Sequence, residues 1–179
     1  PAAAGGGRAL MDAPSAAVDY LIITSPALSN SFQALANFRN SNNGLTTRVV
    51  TTNWIDQNYN GNRPDGGSDL QTKIRNGISN YVASFGTTYV ILGGDNTIVP
   101  DRDCYVTCSG YEEDEMPTDI YYSGLNGTWD ENANGIYGEA NTEGDLAFDV
   151  IVARIPVRTT AQADGYIAKL MRYETGNRP

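Results

Sequence analysis

Short apolar or β-branched runs alternate with helix-patterned segments along the first half of the chain, and this alternation is the strongest constraint on the fold. Runs of this kind, bounded by turn residues, predict strands at 19–24, 46–52 and 88–92. Between them, apolar residues recur at helical spacing from Ser29 or Asn30 to Asn43, and again from Ser68 or Asp69 to Phe85. Because the connections are short, this order predicts right-handed βαβ units and a parallel sheet.

The second half of the chain returns to this pattern only after a long polar stretch. Residues 101–145 are rich in Tyr, Asp, Glu and Asn, with short strand-like pieces such as 119–122. A fourth strand is predicted at 148–153 and a last helix at 159–173. Residues 54–67 lack an apolar period and are predicted to form a surface loop. The predicted fold class is therefore α/β with three layers, in which helices flank a mostly parallel, four-stranded sheet.

The predicted organisation is one α/β subdomain with a short tail at each end. Residues 1–17 are rich in Ala and Gly without periodicity, which predicts a flexible N-terminal arm. The subdomain spans 18–175 and contains the long excursion at 101–145. Residues 176–179 follow a helix directly and have the composition of a linker, so we expect them to lead to a further subdomain that is absent here.

Composition and charge exclude several classes of partner. The 179 residues include 12 Lys and Arg against 21 Asp and Glu, which gives a net charge of −9. Because the basic residues are scattered, the sequence predicts no nucleic-acid partner and no binding to an anionic membrane surface. No apolar run approaches the roughly 20 residues that cross a bilayer, so no membrane span is predicted. A chain rich in Asn, Thr, Ser and Tyr favours an extracellular setting.

The segment from Trp129 to Glu139, W-D-E-N-A-N-G-I-Y-G-E, has the pattern of a calcium-binding loop. Ca²⁺ takes roughly six to eight oxygen ligands, including carboxylates and usually a backbone carbonyl. The predicted ligands are Asp130, Asn132, Asn134, the carbonyl of Ile136, and Glu139. The last position of a helix–loop–helix calcium loop would be Asn141, so the bidentate acid is either Glu139 or Glu143. The alternative is an ordinary Asn-Gly turn between two strands.

The chain contains no histidine, which removes the usual general base of Ser and Cys hydrolases and the commonest zinc ligand. Its two cysteines, Cys104 and Cys108, cannot complete a zinc site, and neither has a base to activate it as a nucleophile. A local disulfide between them requires a bend in the chain. In an extended strand their separation would be about 13 Å, too far to bridge.

Five sequence runs stand in an order that matches one peptidase family. They are T-Y-V-I-L-G-G-D-N-T-I-V-P (88–100), T-D-I-Y-Y-S (118–123), G-T-W-D-E-N-A-N-G-I-Y-G-E (127–139), F-D-V-I-V-A-R-I-P-V-R-T (148–159) and K-L-M-R-Y-E (169–174). With these runs the chain resembles the gingipain-like cysteine peptidases over about residues 18–175. The resemblance implies a caspase-like α/β fold, calcium binding at 130–139, and a bacterial endopeptidase that is secreted or attached to the cell surface.

The resemblance also implies that catalysis resides elsewhere. In that family the catalytic His and Cys lie in a second α/β subdomain, downstream of the matched part, and no position here can receive either residue. The chain therefore resembles the amino-terminal, non-catalytic subdomain. Its expected partners are the catalytic subdomain of the same protein and, through the parent enzyme, protein or peptide substrates. Two departures are Ala153, where the family often has Gly, and Asn134 in place of a third Asp, which should weaken calcium binding.

Two other functions compete with this interpretation. A stand-alone ligand-binding α/β domain would use Gly93-Gly94-Asp95 at the carboxyl end of the third strand, although a turn or helix cap is the favoured role for Asp95. A hydrolase working with carboxylates alone would use the acidic run from Glu112 to Glu115. That run is more typical of a solvated surface, because consecutive residues do not converge on one substrate atom.

Overall fold

The computed structural model describes residues 16–139 and 143–176. The strands are β1 (Tyr20–Thr24), β2 (Thr47–Thr51), β3 (Tyr89–Gly93), β4 (Arg102–Cys108), β5 (Tyr111–Thr118) and β6 (Ile151–Ile155). The helices are α1 (Ser29–Asn43), α2 (Thr52–Asn58), α3 (Leu70–Phe85) and α4 (Thr160–Glu174), and a 3₁₀-helix spans Ile120–Tyr122. The predicted N-terminal arm lies almost entirely outside the described residues, as do 177–179 of the predicted linker.

Four strands form one parallel sheet in the order β2-β1-β3-β6, which confirms the predicted three-layer α/β fold. Alternate side chains of β1 point to opposite faces of this sheet. Tyr20 and Ile22 pack with α1 and α4 on one face, whereas Leu21 and Ile23 pack with α2 and α3 on the other. The whole of β1 is buried because it has a strand on each side and helices on both faces.

Several predicted boundaries and one predicted loop are corrected by the structure. Residues 54–67 begin inside α2, a seven-residue helix that starts where the Thr51 hydroxyl accepts from the amide of Trp54 at 3.2 Å. The fourth strand starts at Ile151 rather than at 148, and the 119–122 piece is a 3₁₀-helix. Neither Ser29 nor Asn30 caps α1, whose N-cap is Leu28 without a side-chain bond.

Residues 102–118 form a β-hairpin outside the main sheet, in which β4 and β5 pair antiparallel. Ser109 and Gly110 make its two-residue turn, and both have positive φ, 52° and 85°. A turn with positive φ at both central residues has a backbone twist that matches the twist of the two paired strands. The long connection between β3 and β6 therefore contains an ordered element that the sequence pattern did not predict.

An ion pair between the buried Arg102 and the partly buried Asp69 joins this hairpin to α3. Asp69 is the N-cap of α3 and accepts from the amide of Thr72 at 2.7 Å. Nη2 of Arg102, at the start of β4, donates to both carboxylate oxygens of Asp69 at 2.9 Å. The Arg102 guanidinium also lies over the rings of Tyr121 and Tyr137, with Cζ 4.7 and 4.0 Å from the ring centroids.

Tyr121 is the centre of an aromatic cluster beneath the long connection. It is 1% exposed, and it makes edge-to-face contacts with Tyr122, Trp129 and Tyr137 at centroid distances of 5.5, 5.8 and 5.7 Å. These rings belong to the same core as α3 and the sheet face that carries Leu21 and Ile23. The connection is thus packed on the sheet through aromatic residues rather than through backbone pairing.

Candidate metal centre

The backbone of the 129–139 loop is wound around the side chain of Asp130, which is 0% exposed. Its Oδ1 accepts from the amide of Asn134 at 2.9 Å, and its Oδ2 accepts from the amide of Gly135 at 3.1 Å. Gly135 has φ 84°, a conformation that suits a residue without Cβ. An Asp followed by a Gly five positions later therefore closes the loop by local hydrogen bonds.

The two asparagines of the loop repeat this arrangement and also reach Glu139. Asn132 Oδ1 accepts from the amide of Asn134 at 2.9 Å, and Asn134 Oδ1 accepts from the amide of Ile136 at 2.8 Å. Both Asn side chains donate through Nδ2 to Glu139 Oε2 at 2.8 Å. Asn132, Asn134 and Glu139 therefore meet at one point, whereas Ile136 takes part in these contacts through its N–H.

Glu143, the other candidate acid, is buried against the same loop. Its Oε1 accepts from the amides of Glu131 and Asn132 at 3.1 and 3.2 Å. Its Oε2 is buried and has no hydrogen-bond partner among the described residues. A buried carboxylate oxygen without a partner is costly, and a cation beside the loop would satisfy this one.

The oxygen-rich donor set fits a hard cation by its chemistry, since Ca²⁺ prefers carboxylate, amide and carbonyl oxygens. Among the described residues, no three acidic, Cys or His side chains lie close enough together to hold a metal ion. A calcium site here would therefore depend on the amides of Asn132 and Asn134 as well as on the acids. Because each Asn oxygen accepts a backbone amide, a half-turn of either side chain would exchange its oxygen and nitrogen only by giving up that hydrogen bond.

Both ends of the loop are fastened to the rest of the fold. The amide of Gly138 donates to the carbonyl of Trp129 at 2.7 Å, which closes the neck of the loop. The buried Trp129 ring donates through Nε1 to the carbonyl of Gly124 at 3.1 Å. The amide of Tyr105 on β4 donates to the carbonyl of Tyr137 at 2.7 Å, which attaches the loop to the hairpin.

The two cysteines are free thiols on β4. Because the strand between them is extended, the two cysteines do not form the local disulfide that the sequence alone could not decide. Burial raises the pKa of Cys104 to about 12, and its thiol therefore stays protonated at neutral pH. Cys108 is exposed and has no histidine near it, because the chain contains none.

The alternative sites have simple structural roles. Asp95 Oδ1 accepts from the amide and the hydroxyl of Thr97 at 3.1 and 2.6 Å, so this residue caps a turn as expected. The amides of Gly94 and Asp95 donate to the carbonyls of Ile155 and Val157 at 3.0 and 3.1 Å. Because these amides are already used, this end of the sheet offers no free donors at 94 and 95 to a ligand. The acidic run 112–115 lies on the exposed strand β5, where successive side chains point to opposite faces.

An apolar face extends from the hairpin to the free edge of β6, which pairs only with β3 among the described strands. We define this apolar face as Met116, Ile120, Leu146, Phe148 and Ile151, whose exposed fractions range from 39 to 70%. Met116, Ile120 and Leu146 line a groove of about 620 Å³, and Ile120, Phe148 and Ile151 line a neighbouring one of about 270 Å³. Exposed apolar residues that adjoin each other in this way mark an interaction surface.

Comparison with known structures identifies the class of fold. The chain resembles the crystal structure of dimeric latent PorU from Porphyromonas gingivalis, with a TM-score of 0.54 and 21% sequence identity. The match covers 87% of this chain and 15% of that chain, so it shows a caspase-like α/β fold over a small part of a much longer protein. No curated protein matches the sequence significantly.

The family follows from the sequence itself. The model of peptidase family C25 matches residues 13–179, nearly the whole chain. The chain therefore belongs to peptidase family C25, the gingipain family, which confirms the resemblance found in its sequence runs. No helix among the described residues is both long and apolar enough to cross a membrane.

Proposed function

We propose that this chain is the amino-terminal, structural subdomain of a gingipain-like cysteine endopeptidase that a bacterium secretes or holds at its surface. The family membership supports a peptidase, and the composition of the chain supports a non-catalytic part of one. The observation that carries the proposal is chemical: the chain has no imidazole, one thiol is buried with a pKa of about 12, and the other is exposed without a base. The catalytic His and Cys then belong to another segment of the parent polypeptide, which acts on protein or peptide substrates.

The apolar face is the surface that would pack against the catalytic subdomain. It adjoins the edge of β6 that faces no other described strand, and an exposed apolar edge strand tends to aggregate unless a partner covers it. The polar outer surface elsewhere, with a net charge of −9 for the chain, would remain in water. The chain thus supports the catalytic part through this face and contributes no reacting group.

Replacing Ile151 with Glu tests this role. Ile151 is 58% exposed, so the melting midpoint of the isolated chain should change by less than about 2 °C, as is typical of surface substitutions. In the parent polypeptide, however, a charge would be buried at the proposed interface, and peptidase activity should fall at least about tenfold, because about 1.4 kcal/mol is a factor of ten. Activity is measured with a peptide substrate before and after treatment with a thiol reagent.

Tyr111→Glu is the matched control, because Tyr111 is 83% exposed at the hairpin turn, outside the apolar face. Equal activity of the two variants would refute the assignment of the interface. Thiol-sensitive peptide cleavage by the isolated, purified chain would refute the structural role altogether.

We also propose that the 129–139 loop binds calcium through Asp130, Asn132, Asn134, the carbonyl of Ile136, and either Glu139 or Glu143. The convergence of Asn132, Asn134 and Glu139 supports the site, as does the unpartnered oxygen of Glu143. The ion would supply positive charge that fixes the long connection; it would have no part in bond cleavage. A site that lacks a third Asp is expected to be weak and to fill where calcium is about millimolar, as it is outside cells.

Calcium should raise the free energy of unfolding by about 1.4 kcal/mol when its concentration is ten times the dissociation constant, since the gain is RT ln 11. For a chain of this size the melting midpoint should rise by about 3–6 °C. The measurement is a thermal melt with calcium and with a chelator.

Glu139→Gln and Glu143→Gln are compared, and the variant that loses the calcium-dependent rise identifies the acid that binds. Glu131→Gln is the control in the same loop, because Glu131 bonds to Thr128 and is outside the proposed ligand set. A midpoint that calcium leaves unchanged in the unmodified chain would end the calcium proposal.

A further inference from the structure

A polar cavity of about 370 Å³ lies between α3, the turn at 61–67 and the connection that carries Tyr121 and Tyr137. Arg63, Thr72, Arg75, Asn76 and Tyr137 are among the residues that line it. The cavity shares no lining residue with the proposed calcium ligands or with the apolar face. Two arginines are among its lining residues and no acidic residue is, although the chain has a net charge of −9.

Arg75 is a buried cation without a carboxylate partner. Its Nε donates to the carbonyl of Tyr121 at 3.1 Å, Nη2 to that of Gly124 at 2.8 Å, and Nη1 to that of Gly127 at 3.1 Å. None of the described carboxylates lies within ion-pair distance of its guanidinium, and burial lowers the pKa of Arg75. Buried charges are normally paired, so carbonyl dipoles leave part of this positive charge uncompensated.

Tyr137 brings an unused donor to the same cavity. Its side chain is 3% exposed, and its hydroxyl has no hydrogen-bond partner among the described residues. Burial raises the pKa of Tyr137 to about 12, so the hydroxyl remains a donor at neutral pH. A buried hydroxyl that makes no hydrogen bond costs about 1–3 kcal/mol, which a bound acceptor would recover.

The other guanidinium groups around the cavity are already paired with carboxylates. The guanidinium groups of Arg63, Arg75 and Arg102 lie around Tyr121 and Tyr137. Two carboxylates, Asp65 and Asp69, pair with Arg63 and Arg102. Asp145 and Asp149 act on Arg75 only from beyond ion-pair distance, so Arg75 is the one of these three guanidinium groups with no carboxylate in direct contact among the described residues.

We propose that this cavity binds a small oxyanion, of phosphate or carboxylate chemistry, with Tyr137 donating its hydroxyl hydrogen and Arg75 supplying the balancing charge. The bound anion would connect three segments that are distant in sequence: the 61–67 turn, α3, and the loop around Tyr137. It would therefore stabilise the packing of the long connection independently of calcium.

The test is a thermal melt of the whole chain in calcium-free buffer, with sodium chloride exchanged for sodium phosphate or sodium acetate at constant ionic strength. We expect the midpoint to rise by about 3–6 °C and to saturate as the anion reaches ten times its dissociation constant. Comparing the two salts shows whether the cavity prefers phosphate or carboxylate, because the anion that binds more tightly saturates the rise at the lower concentration.

Tyr137→Phe is the decisive variant. Removing an unpartnered buried hydroxyl should leave the fold as stable in chloride as before or more stable, yet most of the anion-dependent rise should be lost. Tyr111→Phe, an exposed tyrosine on the hairpin, should keep the full rise. A rise that is linear, unsaturated and equal in all three proteins would be the general effect of excluded salts, and it would overturn the proposal.

Discussion

Asp69→Ala is expected to lower the free energy of unfolding by about 3 kcal/mol, the low end of the range for breaking a buried ion pair, because Asp69 is partly buried and its loss leaves the buried Arg102 charged. Arg102 would keep its charge between the rings of Tyr121 and Tyr137 without the carboxylate that now accepts from Nη2. The same substitution removes the N-cap of α3, which alone is worth about 1 kcal/mol. Urea denaturation, followed by circular dichroism, measures the loss.

Two further variants separate these contributions. Asp69→Asn keeps an oxygen that can accept from the amide of Thr72 but loses the charge, so it isolates the ion pair. Thr159→Ala removes the N-cap of α4 without removing a charge, and it should cost only about 1 kcal/mol. If Asp69→Ala costs no more than Thr159→Ala, the ion pair between Asp69 and Arg102 contributes nothing to stability.

The ion pair also makes stability depend on pH. Burial alone would raise the pKa of Asp69, but the amide of Thr72 and the charge of Arg102 outweigh it, so the pKa is lowered in the folded state. A lowered pKa means that the stabilisation is complete above the unfolded pKa of about 3.9 and is lost as the pH falls through the folded value. Asp69→Ala should therefore flatten the acid limb of the stability profile below about pH 4.

Tyr121→Ala is expected to cost about 3–5 kcal/mol, the range for truncation of a fully buried aromatic side chain. Loss of the ring would leave a cavity and would remove its edge-to-face contacts with Tyr122, Trp129 and Tyr137 together. Tyr121→Phe removes only a hydroxyl that lies 3.3 Å from Thr72 Oγ1, and it should cost about 1 kcal/mol or less. Urea denaturation of both variants provides the comparison.

Limited proteolysis distinguishes this effect from a general loss of stability. Because the aromatic cluster holds the long connection, Tyr121→Ala should be cut selectively within residues 101–139. Phe32→Ala, on the opposite face of the sheet, removes an equally buried ring and should not direct cleavage to that region. The same cleavage pattern in both variants would contradict the role given to Tyr121.

The sequence pattern predicted the parallel sheet well because its signals are strong. Buried strands such as β1 are short apolar runs, and α3 has regular apolar spacing with a cap at Asp69. Helix α2 was missed because only seven residues form it and no apolar period can develop over that length. The hairpin was missed because the acidic residues of β5 are rare in strands, although Ser109-Gly110 is a recognisable turn dipeptide.

The loop around Asp130 was predictable for a different reason, since its oxygens bond to amides only a few residues away. The convergence of Asn132, Asn134 and Glu139 follows from that local geometry. The burial of Glu143 and the cavity beside Arg75 depend on packing between distant segments. No spacing rule within one segment could have predicted either of them.

The position of β6 has a consequence for how freely this architecture can vary. The segment between the paired residues Tyr89 on β3 and Ile151 on β6 is more than twice as long as the segment between Tyr20 on β1 and its partner Thr47 on β2. Loop-closure entropy grows only with the logarithm of length, so doubling a connection costs about 0.6 kcal/mol. Insertions between β3 and β6 are therefore thermodynamically cheap as long as the two strands still meet. New binding elements can be added there without redesigning the sheet.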